Sequence, residues 1–300
     1  MSFLERIKRE PLVCFGAIAT MLIQRGFELS LPLGQWSLEH PYDIQWLTRQ
    51  YLRAGCEVVA SAGSQSCKWK LEKWGLSKAV RQMNEKVTRI VKKVTPEGCY
   101  VAATILPSGK MLKPLGEIEP EELYDAYREE VIGYAEGGAD VLWIMTMMDL
   151  EEALIALKAA KDFSDLPTIV SMSFDYTPEG GRTLMGVDPR RAATDLARAG
   201  ADVVGHNCGG ATPEEASLIL GEMSTVTDRP LVSKPNAGKP DLVDGKPCWP
   251  YSPDEYAAQV PKWLAAGARI MGGCCGTTPD HAAKISAAVK RRERCGNISF

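Results

Sequence analysis

Ala266-Gly267-Ala268-Arg269-Ile270-Met271-Gly272-Gly273-Cys274-Cys275-Gly276-Thr277 holds a whole structural unit in one phrase. A glycine closes a preceding helix, a short apolar run follows, and a glycine-rich turn leads into the amphipathic stretch Thr278–Arg292. The opening of the phrase, Ala-Gly plus a small residue, recurs at Ala54-Gly55-Cys56 and Ala199-Gly200-Ala201, each ahead of another apolar run. Eight such runs occur: Leu12–Gly16, Glu57–Ser61, Tyr100–Leu106, Asp140–Met145, Thr168–Phe174, Asp202–Gly205, Pro230–Lys234 and Ala268–Met271. Amphipathic stretches alternate with them, at Tyr42–Ala54, Lys70–Val94, Pro120–Gly137, Leu150–Lys161, Pro189–Ala199, Pro213–Val226, Pro253–Ala266 and Thr278–Arg292. Pro120, Pro189, Pro213, Pro253 and Pro279 stand at or near first helical turns, where the missing N–H costs little. Eight strand–helix alternations predict a (β/α)8 TIM barrel, a single α/β domain over residues 1–300. A doubly wound sheet is the alternative, weakened by that count and by the lack of Gly-x-Gly-x-x-Gly after the first strand. Lys239–Tyr251, which includes Gly245, reads as a long loop after the seventh strand.

Barrels of this kind carry their chemistry at the carboxyl ends of the strands. Three thiols fall there: Cys208 in Gly205-His206-Asn207-Cys208, and the adjacent pair Cys274 and Cys275. Neighbours on a regular strand point to opposite faces, so two adjacent cysteines need irregular backbone to share one ion. Gly272, Gly273 and Gly276 supply that freedom. Three cysteines fit a Zn²⁺ site that keeps its fourth position open for substrate. The alternative is that they are buried packing residues, since free cysteine behaves as a small core side chain.

Composition narrows the class. Three hundred residues with 45% hydrophobic and 24% charged side chains suit a globular enzyme. A net charge of −3 argues against nucleic-acid binding, and Lys290, Arg291, Arg292 and Arg294 read as the positive end of the last helix. No apolar run has the length to span a bilayer, and no signal peptide is visible between Met1 and Pro11. Nine cysteines, an odd number, point to a reducing compartment, the cytoplasm by default. Cys14, Cys56 and Cys99 read as packing residues; Cys67, Cys248 and Cys295 sit in loop or terminal contexts without ligand spacing. His206 either orients substrate or points away from the mouth, and His40 and His281 have no evident partners. No Gly-x-Ser-x-Gly elbow or Walker-type loop is present.

Zinc held by three thiolates is a poor Lewis acid, because sulfur donation has already quenched its charge. Such a centre binds an incoming thiol and keeps it deprotonated at neutral pH, with electron density left on sulfur. The ligand set therefore points to alkyl transfer involving a small thiol.

With these motifs the chain resembles the homocysteine S-methyltransferase family, which includes betaine–homocysteine methyltransferase and the homocysteine domain of cobalamin-dependent methionine synthase. The resemblance also runs through Gly16–Leu22, Lys70–Leu76, Gly181-Arg182-Thr183-Leu184 and Lys234-Pro235-Asn236-Ala237-Gly238. It implies a zinc-dependent methyltransferase with Cys208, Cys274 and Cys275 as ligands and Asn236 near the metal. It also exposes departures. The family's first strand usually ends in Asp-Gly, and here Phe15 precedes Gly16; the fourth usually ends in Glu-Thr, and here Met145 precedes Thr146. Where the second usually runs Glu-Thr-Asn-Thr-Phe, this chain has Ala60-Ser61-Ala62-Gly63-Ser64. Family acids at these strand ends hold the homocysteine ammonium, and apolar replacements cannot supply that charge-assisted bond.

The length leaves no room for a folate- or corrinoid-binding domain, so the expected methyl donor is a small molecule or a separate methyl-corrinoid protein docking on the mouth. Trp36, Trp69, Trp143 and Trp249 are candidates to receive a cationic donor through cation–π attraction, or else pack in core and rim. The leading reading is S-methyl transfer to or from a small thiol, homocysteine being the family acceptor. The alternatives are a component of a corrinoid-linked demethylation system with another substrate, and a non-catalytic zinc-dependent binding module.

Overall fold

Eight parallel strands pair in one sheet that curls on itself. In a computed structural model that describes residues 1–63, 66–243 and 246–296, they are β1 (Leu12–Val13), β2 (Val58–Ala60), β3 (Tyr100–Ile105) and β4 (Val141–Met147). The second half comprises β5 (Thr168–Met172), β6 (Val203–Asn207), β7 (Leu231–Lys234) and β8 (Ala268–Met271). Neighbours follow chain order from β2 round to β8, and β8 pairs with β1. The ring closes where Cys14 bridges Val58, with Glu57 N–H donating to Val13 O at 2.8 Å and Phe15 N–H to Val58 O at 2.9 Å. This is the (β/α)8 barrel that the alternation predicts. β3 and β5 are buried at every position, because the barrel interior covers one face and the helices the other. That is why these strands read as continuous apolar runs.

Two predicted helices are broken. Lys70–Val94 is a helix at Lys68–Glu72, a 3-10 turn at Ser77–Ala79 and a helix at Val80–Lys92. Gly75, at φ +69°, ends the first piece. Pro253–Ala266 divides into Pro253–Ala257 and Val260–Ala265, since Pro261 cannot continue a helix from the preceding turn and instead sits in the first turn of the second. Lys239–Tyr251 is not all loop: Asp241–Val243 pairs antiparallel with Lys246–Cys248. A second hairpin, Asp175–Thr177 with Gly180–Arg182, follows β5. Ser64 and Gly245 lie outside the described residues, as do the side chains of Arg292, Arg294 and Cys295. Among the described residues no helix is long and apolar enough to cross a membrane.

Candidate active site at the barrel mouth

The ends of β6, β7 and β8 are laced together by their backbones. Cys208 N–H donates to Lys234 O at 3.1 Å, Cys274 N–H to Pro235 O at 2.8 Å, and Ala237 N–H to Cys275 O at 2.9 Å. Asn236 completes the lacing from its side chain: Nδ2 donates to Gly209 O at 2.8 Å and Oδ1 accepts Cys275 N–H at 3.1 Å. Its amide thus binds the backbone of both cysteine loops. The Tyr256 hydroxyl contacts Pro235 O at 2.8 Å and Gly272 O at 2.9 Å from below.

Backbone conformation then turns the sulfurs inward. Cys208 adopts φ +58°, in the left-handed region, which takes it off the strand's alternation. Gly276, at φ +79°, lies so close beneath Trp249 that a Cβ would meet the indole at 2.1 Å. As a result Cys208, Cys274 and Cys275 bring their Sγ atoms within 4.8 Å of one another, with Cys208 and Cys275 at 3.9 Å. A tetrahedral ion with Zn–S bonds of about 2.3 Å requires sulfurs about 3.8 Å apart. The described cluster fits a metal ion of that size.

Asn207, whose role was not legible in the sequence, supports the cluster. Its Oδ1 accepts Thr146 N–H at 2.7 Å and the Ser171 hydroxyl at 2.6 Å, while Nδ2 faces Thr146 Oγ1 at 2.7 Å and Cys274 Sγ at 3.8 Å. Thr146 also takes a left-handed φ of +62°. Hydrogen bonds from the Cys208 and Cys275 thiols hold the Cys274 thiol well below its usual range, with smaller help from the Lys234 charge and Asn207. The same hydrogen bond to Cys274 pushes Cys208 up to about 11, and Cys275 is pushed up through its contacts with Cys208 and then Cys274. His206 is buried in the barrel with Nε2 3.0 Å from Ser233 Oγ, and burial pushes its imidazole down to about 4.

The sulfurs floor a cavity of about 440 Å³ at the carboxyl ends of the strands. Phe15, Met145, Ile18, Leu106 and Met148 line it, and its charged lining residues are Lys70 and Lys234. Ala60 is buried away from this lining. None of the four named tryptophans is among the lining residues. Trp36 is buried and stacks on His40, with centroids 4.4 Å apart; Trp143 is buried, donates to Ser171 Oγ at 2.9 Å and packs edge-on against Phe15. Trp69 borders a separate groove with Trp74, and Trp249 covers Gly276. His281 bonds to Thr278 and the Tyr251 carbonyl in the last helix. Cys14, Cys56 and Cys67 are buried, Cys99 is half-buried and Cys248 is exposed on the Asp241–Cys248 hairpin.

The family model described as homocysteine S-methyltransferase matches residues 12–289. The chain belongs to the homocysteine S-methyltransferase family. Two methionine synthases, from Mycobacterium leprae and Mycobacterium tuberculosis, are each 30% identical over 84% and 85% of this chain. The chain spans only about a fifth of their length, 21% and 22%. The apo homocysteine methyltransferase of Escherichia coli has a TM-score of 0.72 at 23% identity, covering 96% of this chain and 98% of that one. Its metallated form scores 0.75 at 24% identity, covering 95% and 98%. At such identities the solved structures establish the shared fold.

Proposed function

We propose that residues 1–300 form one zinc-dependent S-methyltransferase unit, with Cys208, Cys274 and Cys275 as the metal ligands and a small thiol as methyl acceptor. The observation that carries this reading is the convergence of three sulfurs within 4.8 Å on the floor of an apolar cavity. A homocysteine methyltransferase of Escherichia coli with the same fold is known in a metallated form, which is in keeping with a metal-binding role for this cluster. When bound, zinc in such a ligand set keeps an incoming thiol deprotonated at neutral pH without removing its nucleophilicity.

The chain's own residues do the rest. Asn236 and Asn207 fix the two cysteine loops in register, and the walls of Phe15, Ile18 and Leu106 exclude water from the sulfur nucleophile. A sulfur lone pair forms the new S–CH3 bond as the donor–CH3 bond breaks, and that electron pair leaves with the donor. The acceptor's thiol proton has already passed to solvent. Homocysteine is the acceptor carried by the family's description.

The donor reading favoured by the cavity is a methyl-corrinoid protein docking on the mouth. Its charged lining is cationic and lacks the tryptophans, which disfavours a sulfonium or quaternary ammonium donor. Leu184, Leu242 and Met148 are exposed in the segments that follow β5, β7 and β4, and Met148 lines the cavity. The free thiols of the described cysteines favour a reducing compartment such as the cytoplasm. The test is metal analysis with a methyl-transfer assay using free methylcobalamin and homocysteine or other thiols. About one zinc per chain, lost with activity in Cys208→Ala, supports the reading. Full zinc content in that variant overturns the ligand set, and a zinc protein inert with every thiol and donor favours a binding module.

A further inference from the structure

We propose that the mouth cavity selects a thiol carrying an anionic group, a carboxylate or sulfonate, and that Lys234 recognises that group. The inference rests on the thiol-acceptor reading above and narrows it. Lys234 ends β7 beside the cysteine loops, lines the cavity and is 1% exposed. Its ammonium donates to the Gly273 carbonyl and lies 4.5 Å from the centroid of the Phe15 ring. An ammonium has three donors, and a buried charge is tolerated when it is paired. Here one carbonyl and one ring face meet it, and none of the ion pairs among the described residues supplies it with a carboxylate. The second charged lining residue, Lys70, donates to Pro107 O at 2.6 Å, and its charge also bears on the buried Glu130 carboxyl.

No aspartate or glutamate is among the described lining residues. Phe15 and Met145, both buried, line the cavity beside the two lysines. The charged side chains that line it are both cationic. An anionic substituent gains a charge-assisted hydrogen bond from Lys234, whereas an α-ammonium finds no carboxylate among the described lining residues and meets the two lysine charges. A zwitterionic amino-acid thiol has one group that fits and one that does not.

Lys234 has a competing role, since its charge also bears on the Cys274 thiol. The two roles differ in what they predict for thiols of different charge. Calorimetric titration of the zinc-loaded protein with propane-1-thiol, 3-mercaptopropanoate, 3-mercaptopropane-1-sulfonate, cysteamine and homocysteine separates them. The two anionic thiols are expected to bind about tenfold or more tighter than propane-1-thiol and homocysteine, with cysteamine weakest. In Lys234→Met the ratio of anionic to neutral affinity is expected to fall to within about twofold of unity, and in Lys234→Arg to persist.

Equal affinities across the wild-type series overturn the proposal, and that series decides even if the variants fail to fold. A ratio that survives Lys234→Met while all thiols weaken together also overturns it, and assigns the lysine to the thiolate centre alone. Binding of no thiol of any charge removes the acceptor reading itself. Charge-blind binding leaves that reading standing.

Discussion

Asn207 and Thr146 close on each other through two hydrogen bonds, Thr146 N–H to Asn207 Oδ1 at 2.7 Å and Asn207 Nδ2–H to Thr146 Oγ1 at 2.7 Å. The pair locks a left-handed residue at the end of β4 to the last residue of β6, directly beside Cys274. Ser171, itself accepting from Trp143, donates to the same Asn207 oxygen. Asn207→Ala strands the Thr146 amide and the Ser171 hydroxyl. Loss of about 1–3 kcal/mol in denaturant unfolding of the metal-free protein is expected. Zinc affinity, measured by chelator competition, is expected to fall about tenfold or more because the amide also orients Cys274. Unchanged values for both would show that the clasp is incidental.

Glu130 predicts a pH dependence far from the sulfurs. It is buried on helix Pro120–Glu136, Oε1 has no hydrogen-bond partner among the described residues, and burial pushes its carboxyl up to about 8, opposed by Lys70 and reinforced by Glu152. The folded state therefore holds a proton that the unfolded chain releases near its ordinary value of 4.5. The linkage runs against stability as pH rises. The full contribution is present below the unfolded pKa and is lost between about 4.5 and 8. Glu130→Gln is expected to flatten that decline, with a gain of about 1 kcal/mol or more at pH 8 relative to pH 5. Parallel pH–stability curves for the two proteins would contradict it.

Gly276 carries two separable constraints, its φ of +79° and the indole of Trp249 at 2.1 Å from a hypothetical Cβ. Gly276→Ala is expected to destabilise the cysteine loop by about 1–3 kcal/mol and to weaken zinc binding accordingly. Adding Trp249→Ala removes the clash and leaves the backbone strain, so partial recovery is expected. Full recovery would show that the left-handed conformation costs nothing here.

The 3.9 Å contact between Cys208 and Cys275 makes the metal-free protein oxidisable. Mild oxidant is expected to produce a disulfide joining Cys208 to Cys275, found by peptide mapping, with loss of activity. Reductant plus zinc restores it, and prior zinc loading prevents it. Oxidation confined to exposed Cys248, with these thiols untouched, would count against an accessible cluster.

The sequence carried the barrel because each strand–helix unit is local: a glycine stop, an apolar run, a turn and an amphipathic helix, as at Ala266–Arg292. The breaks at Gly75 and Pro261 were marked by residues whose chemistry opposes helix continuation, yet the surrounding apolar periodicity concealed them. The cysteine cluster was legible because three thiols stand at predicted strand ends. The bridging of its loops by Asn236, the support from Asn207 and the burial of Lys234 against Phe15 were not. Those depend on which strands are neighbours around the ring, and periodicity carries no information about that. The basic residue that ends the buried strand Leu231–Lys234 is a sequence feature from which the cavity's charge could have been read, and it was not.

X-ray absorption at the zinc edge, with and without added thiol, tests the central claim most directly. The account predicts three sulfur ligands at about 2.3 Å plus one lighter ligand in the resting protein, becoming four sulfurs when the thiol binds. A spectrum that shows fewer than three sulfurs, or that does not change at saturating thiol, would contradict it.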